Sequence, residues 1–380
     1  MRDSLTVQAD RAPAFVAEAW PALLDQAQRS LAGWEERLTT LLVCGCGDSH
    51  FAAQGAEFGL RTWTGRRVRA ASSMMAGRYL MQGADADWLV IGISASGEVA
   101  RTVEALEQAR HAGARTLALT CTQNSTLTQT ADVAIVADLP EYPFGPGLIS
   151  YLAALLGILA VGASLAQGAN RRRVPALIDS LPEQMAKAAA VQGEQGRAFA
   201  DAVAEAPYGV FLGSGPAFGA AGFAAAKVLE ASGLAYHAQD VEEWAHLEYF
   251  QEPADTPTWI LTSGGREATR VDEVEHAAQA VGRRLQVTRW VGSPEWSSEE
   301  REALSPFGLW PAPVAFAQRL MERLDREPFR AFGGGRSRTE GGGASRIRSS
   351  QRLALNRRAA PASARREEPD SHWHAAGTRL

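Results

Sequence analysis

The sequence predicts an α/β chain made of two three-layer domains, each built on a parallel sheet. Three observations lead there. Short apolar runs alternate with helical stretches of ten to fifteen residues, the grammar of parallel βαβ units. A Gly-x-Gly turn after a strand occurs twice, at Gly45-Cys46-Gly47 and at Gly213-Ser214-Gly215, 168 positions apart. A second echo keeps that interval, since the segment from Ala100 resembles the segment from Ala268, with Val103 matching Val271. Two echoes at one period argue for a duplicated unit. The length of 380 residues suits two domains of about 100–200 residues each. With 46% hydrophobic and 21% charged residues, the chain has ample core material.

The elements follow in order. Residues 14–31 have helical spacing and lead to an apolar strand at 41–43, which stops at Cys44-Gly45-Cys46-Gly47 and gives way to a helix at 50–61. Strands are expected near Val68 and at 88–93, 116–120 and 133–136, with an amphipathic helix at 99–111. The apolar stretch 148–166 approaches membrane-span length, but Ser150, Gly157, Gly162 and Ser164 interrupt it, and it reads as a buried helix. Helical material at 166–206 joins the halves. The pattern then restarts with a strand at 209–212, a turn and a helix at 217–231, and 311–324 forms a late helix. The domain boundaries read from this are 1–36 for an N-terminal helical segment, 37–168 for the first domain, 169–206 for a helical linker and 207–330 for the second domain. Residues 331–380, rich in glycine and arginine, are expected to form a largely disordered basic tail.

Charge and composition narrow the function. The net charge of −5 supplies no global field for nucleic acid or anionic lipid, so neither nucleic acid nor membrane is an expected partner. Residues 1–11 lack the pattern of a signal peptide, and the mature chain is expected to begin at or near Met1. Cys44, Cys46 and Cys121 are too few for a disulfide framework, which points to a reducing cytoplasm.

The sharpest chemical feature is Ser94-Ala95-Ser96-Gly97-Glu98, between a strand and a helix. Such a turn aims backbone N–H groups and two hydroxyls at one spot beside a helix N-terminus, an anion site suited to phosphate. The turn through Gly47, Asp48 and Ser49 lies at the same end of the first strand and brings Ser49 to the same spot. The plainer alternatives are that Ser96 only caps its helix, and that Asp48 caps the helix after it and points away. The second half keeps the Gly-x-Gly turn but carries Thr262-Ser263-Gly264-Gly265 where the first has serines, so phosphate is assigned to the first half. The second half offers acid–base groups instead. Lys227 and Glu230 share a helix face, and Glu243 and His246 have the same spacing. Lys227 stands out because the chain has only one other lysine, Lys187. A helical ion pair, with His246 on a partly buried helix face, is the plainer alternative here. A dimetal reading of Glu243-x-x-His246 and Glu273-x-x-His276 requires a four-helix arrangement that this alternation does not supply.

These residues resemble the sugar isomerase (SIS) domain family. The likeness rests on Cys44-Gly45-Cys46-Gly47-Asp48-Ser49-His50, on Ser94-Ala95-Ser96-Gly97-Glu98, and on the second-half Gly-x-Gly-Pro with Lys227-x-x-Glu230 and Glu243-x-x-His246. It covers about 41–310 and is nearest to the tandem-SIS isomerase half of glucosamine-6-phosphate synthase and to stand-alone phosphosugar isomerases, deaminases and deglycases. The resemblance implies flavodoxin-like domains and a phosphate bound by Ser49, Ser94 and Ser96 with Gly47, Ala95 and Gly97. It makes Glu230 the base that moves a proton between C1 and C2, its carboxyl tuned by burial. His246 would assist ring opening in a neighbouring subunit, with Glu243 and Lys227 beside these groups. It also implies a homodimer acting on a phosphorylated sugar or amino sugar, without metal or redox cofactor. A non-catalytic phosphosugar-binding regulatory module is the alternative. Departures are Ala95 for a usual glutamine, Val99 for a threonine, Ala245 for a lysine, and no lysine after Lys227 to form the family's imine. Arg336 and Arg338 are expected to cover the sugar instead, and no glutaminase domain is expected.

Overall fold

Side-chain alternation sorts the strands into faces, and the faces set the layers. The computed structural model describes residues 3–331 and 351–353. The first half runs α1 (Ser4–Leu31), β1 (Thr40–Gly45), α2 (Asp48–Thr64), β2 (Arg67–Ser72), α3 (Ser73–Tyr79), β3 (Trp88–Ser94), α4 (Ala100–Ala112), β4 (Arg115–Thr120), α5 (Thr126–Thr130), β5 (Val133–Val136) and α6 (Ile149–Ser164). The second half follows as α7 (Asn170–Val203), β6 (Tyr208–Leu212), α8 (Pro216–Ser232), β7 (Ala235–Gln239), α9 (Val241–Trp244), β8 (Pro257–Thr262), α10 (Ala268–Ala280), β9 (Arg284–Arg289), α11 (Ser298–Leu304) and α12 (Pro311–Arg323).

Both sheets are parallel. Their orders are β2-β1-β3-β4-β5 and β7-β6-β8-β9, so the second repeats the first through four strands and ends one strand short. The interval seen in the sequence carries through to the elements. The starts of α2 and α8, Asp48 and Pro216, differ by 168 positions, as do those of α4 and α10, Ala100 and Ala268.

Three hydrophobic clusters follow from the alternation. Leu41, Val43, Ile91 and Leu119 of the first sheet and Phe211, Trp259 and Leu261 of the second face one shared interior, filled by α1, α2, α6, α7, α8 and α12. Leu42, Val90 and Ala118 face the opposite way, against α4. Val210, Leu212 and Ile260 do the same against α10. The helix α6 is buried along nearly its whole length, as its composition led us to expect, and no helix among the described residues is long and apolar enough to cross a membrane. The helix α7 covers the second sheet, with Phe199 edge-on to Trp259 at 5.1 Å.

Helices α2 and α8 meet at the centre of this interior. A Cβ on Gly219 would fall 2.4 Å from the Gly55 nitrogen and 2.6 Å from the Phe51 carbonyl oxygen, both rigid backbone. The missing side chain lets the two backbones touch, and Phe51 fills the space over Gly222.

The expected tail at 331–380, with Arg336 and Arg338, falls almost wholly outside the described residues. Residues 351–353 lie along α4, where the Leu353 N–H donates to the buried Glu104 carboxylate at 2.8 Å and Arg352 pairs with Glu107 at 2.5 Å.

The α2–α8 contact yields a stability prediction. Gly219→Ala is expected to cost about 1–3 kcal/mol through overpacking. Gly193→Ala on α7, with only a flexible arginine tip 3.6 Å away, should instead gain up to about 1 kcal/mol. Urea unfolding of both variants checks the pair, and equal effects would show that the close crossing is not under steric constraint.

Candidate active site

Strand order defines where a ligand can enter. The connections from β1 and β3 run to opposite sides of the sheet, so a crevice opens beyond their carboxyl ends. The turns Gly45–Ser49 and Ser94–Gly97 flank that crevice. The Ser94 hydroxyl, 2% exposed, accepts the Gly97 N–H at 3.1 Å. Gly97 has φ +67°, and a Cβ there would lie 2.1 Å from Ser125 Oγ, so only glycine closes the turn. The Ala95 carbonyl accepts the Cys121 N–H at 3.0 Å and the Thr122 hydroxyl at 3.1 Å, which fastens the turn to the end of β4.

Ser96 is exposed and does not cap α4. Its hydroxyl accepts the Glu98 N–H at 3.3 Å, and the N-cap residue is Val99, with no side-chain bond. The Glu98 carboxylate turns aside to Thr126, accepting its N–H at 2.8 Å and its hydroxyl at 2.6 Å, and these bonds hold its pKa below the usual range. Ser49, Ala95 and Ser150 line a slit of about 10 Å³, roughly the space of one water molecule.

The helix crossing brings the second half to the same place. Lys227, fully buried, donates to Asp48 Oδ2 at 2.6 Å and to Glu230 Oε2 at 2.5 Å. Asp48 therefore does not cap α2, whose N-cap is Gly47 with no side-chain bond. Its carboxylate crosses to α8 because a buried ammonium needs more than one anionic partner. The pair Lys227–Glu230 is real, but it is two-thirds of a bridge between the halves. Burial would lower the Lys227 pKa, but the charges of Asp48 and Glu230 outweigh it and hold the pKa above the ordinary lysine value. Lys227 is thus an ammonium and not an amine nucleophile. Its Nζ also lies 5.1 Å from the Phe223 ring, which stacks on Tyr151 at 3.9 Å.

Glu230 is buried only in part. Its side chain keeps 29% exposure, because α8 presents only its inner face to α2 while Leu229 and Glu230 reach the rim. Of two further groups of this region, Tyr151 went unread in the sequence and Asp48 was read only as a helix cap. The Tyr151 hydroxyl and Asp48 Oδ1 are buried without a hydrogen-bond partner, and burial, with the Asp48 charge, raises the Tyr151 pKa far above its normal value. Neither partner has a sequence signal, since each group acquires its environment from a segment distant in the chain.

Glu243 and His246 stand elsewhere. The helix α9 ends at Trp244, so they do not share a helix face, and His246 is exposed and pairs with Glu242 Oε1 at 3.1 Å. The Asp240 carboxylate caps α9 and accepts the Ser214 hydroxyl at 2.8 Å, which ties this group to the start of α8. Glu230 is fourteen residues into that helix from Pro216, about 20 Å along its axis. One chain therefore brings together Asp48, Lys227 and Glu230 beside Ser49, and leaves Glu243 and His246 toward the other end of α8. Among the described residues, no three His, Cys, Asp or Glu side chains are grouped to hold a metal ion.

Comparison with known proteins agrees with this architecture. Residues 37–162 match the SIS domain family. The glutamine–fructose-6-phosphate aminotransferase [isomerizing] of Pseudomonas aeruginosa is 29% identical over 231 residues, 58% of this chain and 37% of that protein. The chain therefore spans little more than a third of the curated relative it matches. Among solved structures, the C-terminal domain of glucosamine-fructose-6-phosphate aminotransferase from Francisella tularensis superposes with a TM-score of 0.71 at 15% identity, covering 84% of this chain and 97% of that one. The tagatose-6-phosphate ketose/aldose isomerase of Escherichia coli gives 0.68 at 17% identity, covering 86% and 94%. At such identities these structures establish the fold. Residues 37–162 thus match an SIS domain, and the chain as a whole shares the fold of these structures.

The bridge makes a testable demand. Lys227→Met leaves Asp48 and Glu230 facing each other uncompensated and is expected to cost about 3–5 kcal/mol in urea unfolding. Because the folded pKa of Lys227 exceeds the ordinary 10.5, its contribution is complete at neutral pH and fades as pH climbs past that value. Thermal unfolding between about pH 10.5 and 12 should fall more steeply for the natural chain than for the variant. Parallel curves would show that the ammonium does not stabilise the fold.

Proposed function

We propose that the chain converts a phosphorylated sugar or amino sugar through an open-chain enediol, as an aldose–ketose isomerase or an amino-sugar-phosphate deaminase. The observation that carries this reading is the Asp48–Lys227–Glu230 bridge, which ties a carboxylate of the second half to the residue preceding Ser49. In this scheme the phosphate sits against Ser49, Ser94 and Ser96 and the backbone of Gly47, Ala95 and Gly97, with the sugar carbons extending toward Glu230. Glu230 takes the proton next to the carbonyl and returns it to the neighbouring carbon. Lys227 holds that carboxylate in place and steadies negative charge developing on the enediol oxygen. As an ammonium it forms no imine, so carbonyl chemistry proceeds without a covalent link to this residue. These steps call on no metal or redox cofactor.

His246 and Glu243 act, in this reading, in the site of a second copy, because about 20 Å of helix separates them from Glu230 in their own chain. Leu247, Tyr249 and Phe250, exposed beside His246, are the apolar surface that such a dimer would cover. The two halves are read as tandem SIS units, the first for phosphate and the second for acid–base chemistry, and the cytoplasm is the proposed compartment.

The test joins binding to turnover. Fructose 6-phosphate and glucosamine 6-phosphate are screened by thermal shift, and at least one is expected to raise Tm. Glu230→Gln should keep that shift while turnover falls about 10²–10⁴-fold, the usual worth of a general base. A natural chain that binds but turns over neither sugar would favour a regulatory phosphosugar module. Absence of any shift across hexose and amino-sugar phosphates would refute both readings.

A further inference from the structure

The second half contains a cleft related to the candidate site by the 168-residue interval. There Gln54, Phe58 and Arg61 of α2 face Ser214, Gly215 and Pro216 at the start of α8, much as Lys227 and Glu230 of α8 face the start of α2. This cleft encloses about 410 Å³, whereas the slit beside Ser49, Ala95 and Ser150 holds about 10 Å³. Space alone would therefore place a sugar phosphate in the wrong half.

The chemistry of its turn differs. Glu267 occupies the position of Val99, each being the N-cap residue of the helix that follows its turn. Glu267 Oε1 accepts the Thr262 hydroxyl at 2.7 Å, the Ser263 N–H at 2.8 Å and the Ser263 hydroxyl at 2.8 Å. Two hydroxyls and an amide converging on one anionic oxygen beside a helix N-terminus are the donor set that a phosphate oxygen would use. Val99 offers no such acceptor to the first turn. Arg266 does not relieve the negative charge near Glu267, because Glu299 (2.9 Å) and the Glu302 carboxylate already hold it.

We propose that Glu267 is a built-in occupant of the second anion turn, which shuts that cleft to phosphate and limits the chain to one phosphosugar, bound in the first half. The carboxylate excludes phosphate twice over, by filling the acceptor position and by setting a negative charge against a doubly negative ester. The assignment of the first turn to phosphate rests on the function proposed above, whereas the occupancy of the second turn does not.

The experiment counts phosphate bound per full-length chain by isothermal titration calorimetry, with inorganic phosphate and then glucosamine 6-phosphate. Glu267→Val installs the residue found at the matching position, and is expected to bind one more equivalent of inorganic phosphate than the natural chain. That added equivalent should survive Ser96→Ala, which removes a hydroxyl of the first turn only. Glu267→Gln keeps an acceptor in the turn and should add none. Should the valine variant not melt cooperatively, Glu267→Thr is read in the same way. A folded valine or threonine variant that binds no more phosphate than the natural chain overturns the proposal. A natural chain that binds none, with a valine variant that binds one, supports Glu267 as the occupant while refuting the phosphate role of the first turn.

Discussion

The approach of α2 to α8 at Gly55 and Gly219 is the constraint on which the rest of the molecule depends. Backbones that touch leave no room for intervening side chains, so the two sheets share one interior in place of two. The same crossing lays the inner face of α8 beneath the first turn of α2. Lys227 then has no route to water and must be satisfied by anions supplied from both halves. Asp48 and Glu230 do so, and the candidate site is assembled by the requirement of one buried ammonium.

That requirement also explains why the site is polarised. A lysine held as an ammonium acts by charge and position, whereas a neutral one would act as a nucleophile. Its two carboxylates are only partly exposed, one at the end of β1 and the other at the rim of α8. The hydroxyl-bearing turns of the first sheet lie beyond the Asp48 side of this bridge. Carboxylates from different halves thus meet at a helix crossing, so that neither half carries the whole bridge.

The two halves share one strand order through four strands, while their turns differ. Where the first half has a serine turn followed by Val99, the second has hydroxyl donors satisfied by Glu267 from within. A polar turn left empty in a cleft must bind water, a ligand or part of its own chain. The second half has taken the third course. The strand missing from its sheet is a further difference, with α11 standing where the interval would place β5.

Strand–helix alternation, the buried character of α6, the glycine turns and the 168-residue echo were all legible in the amino-acid order, because each is a local pattern of period or spacing. So were Ser94, Ser96, Lys227 and Glu230 as residues of chemical interest, since their neighbours in the chain already set their type and face. The partner of Lys227 was not. Asp48 lies 179 positions away and reads, from its own surroundings, as a helix cap. The separation of His246 from Glu230 was implied only by the family resemblance, because sequence spacing of sixteen residues says nothing once a helix, a turn and a strand intervene. Local order fixes which groups a segment presents. Which groups meet is decided by packing between distant segments, here by two glycines that let a pair of helices cross in contact.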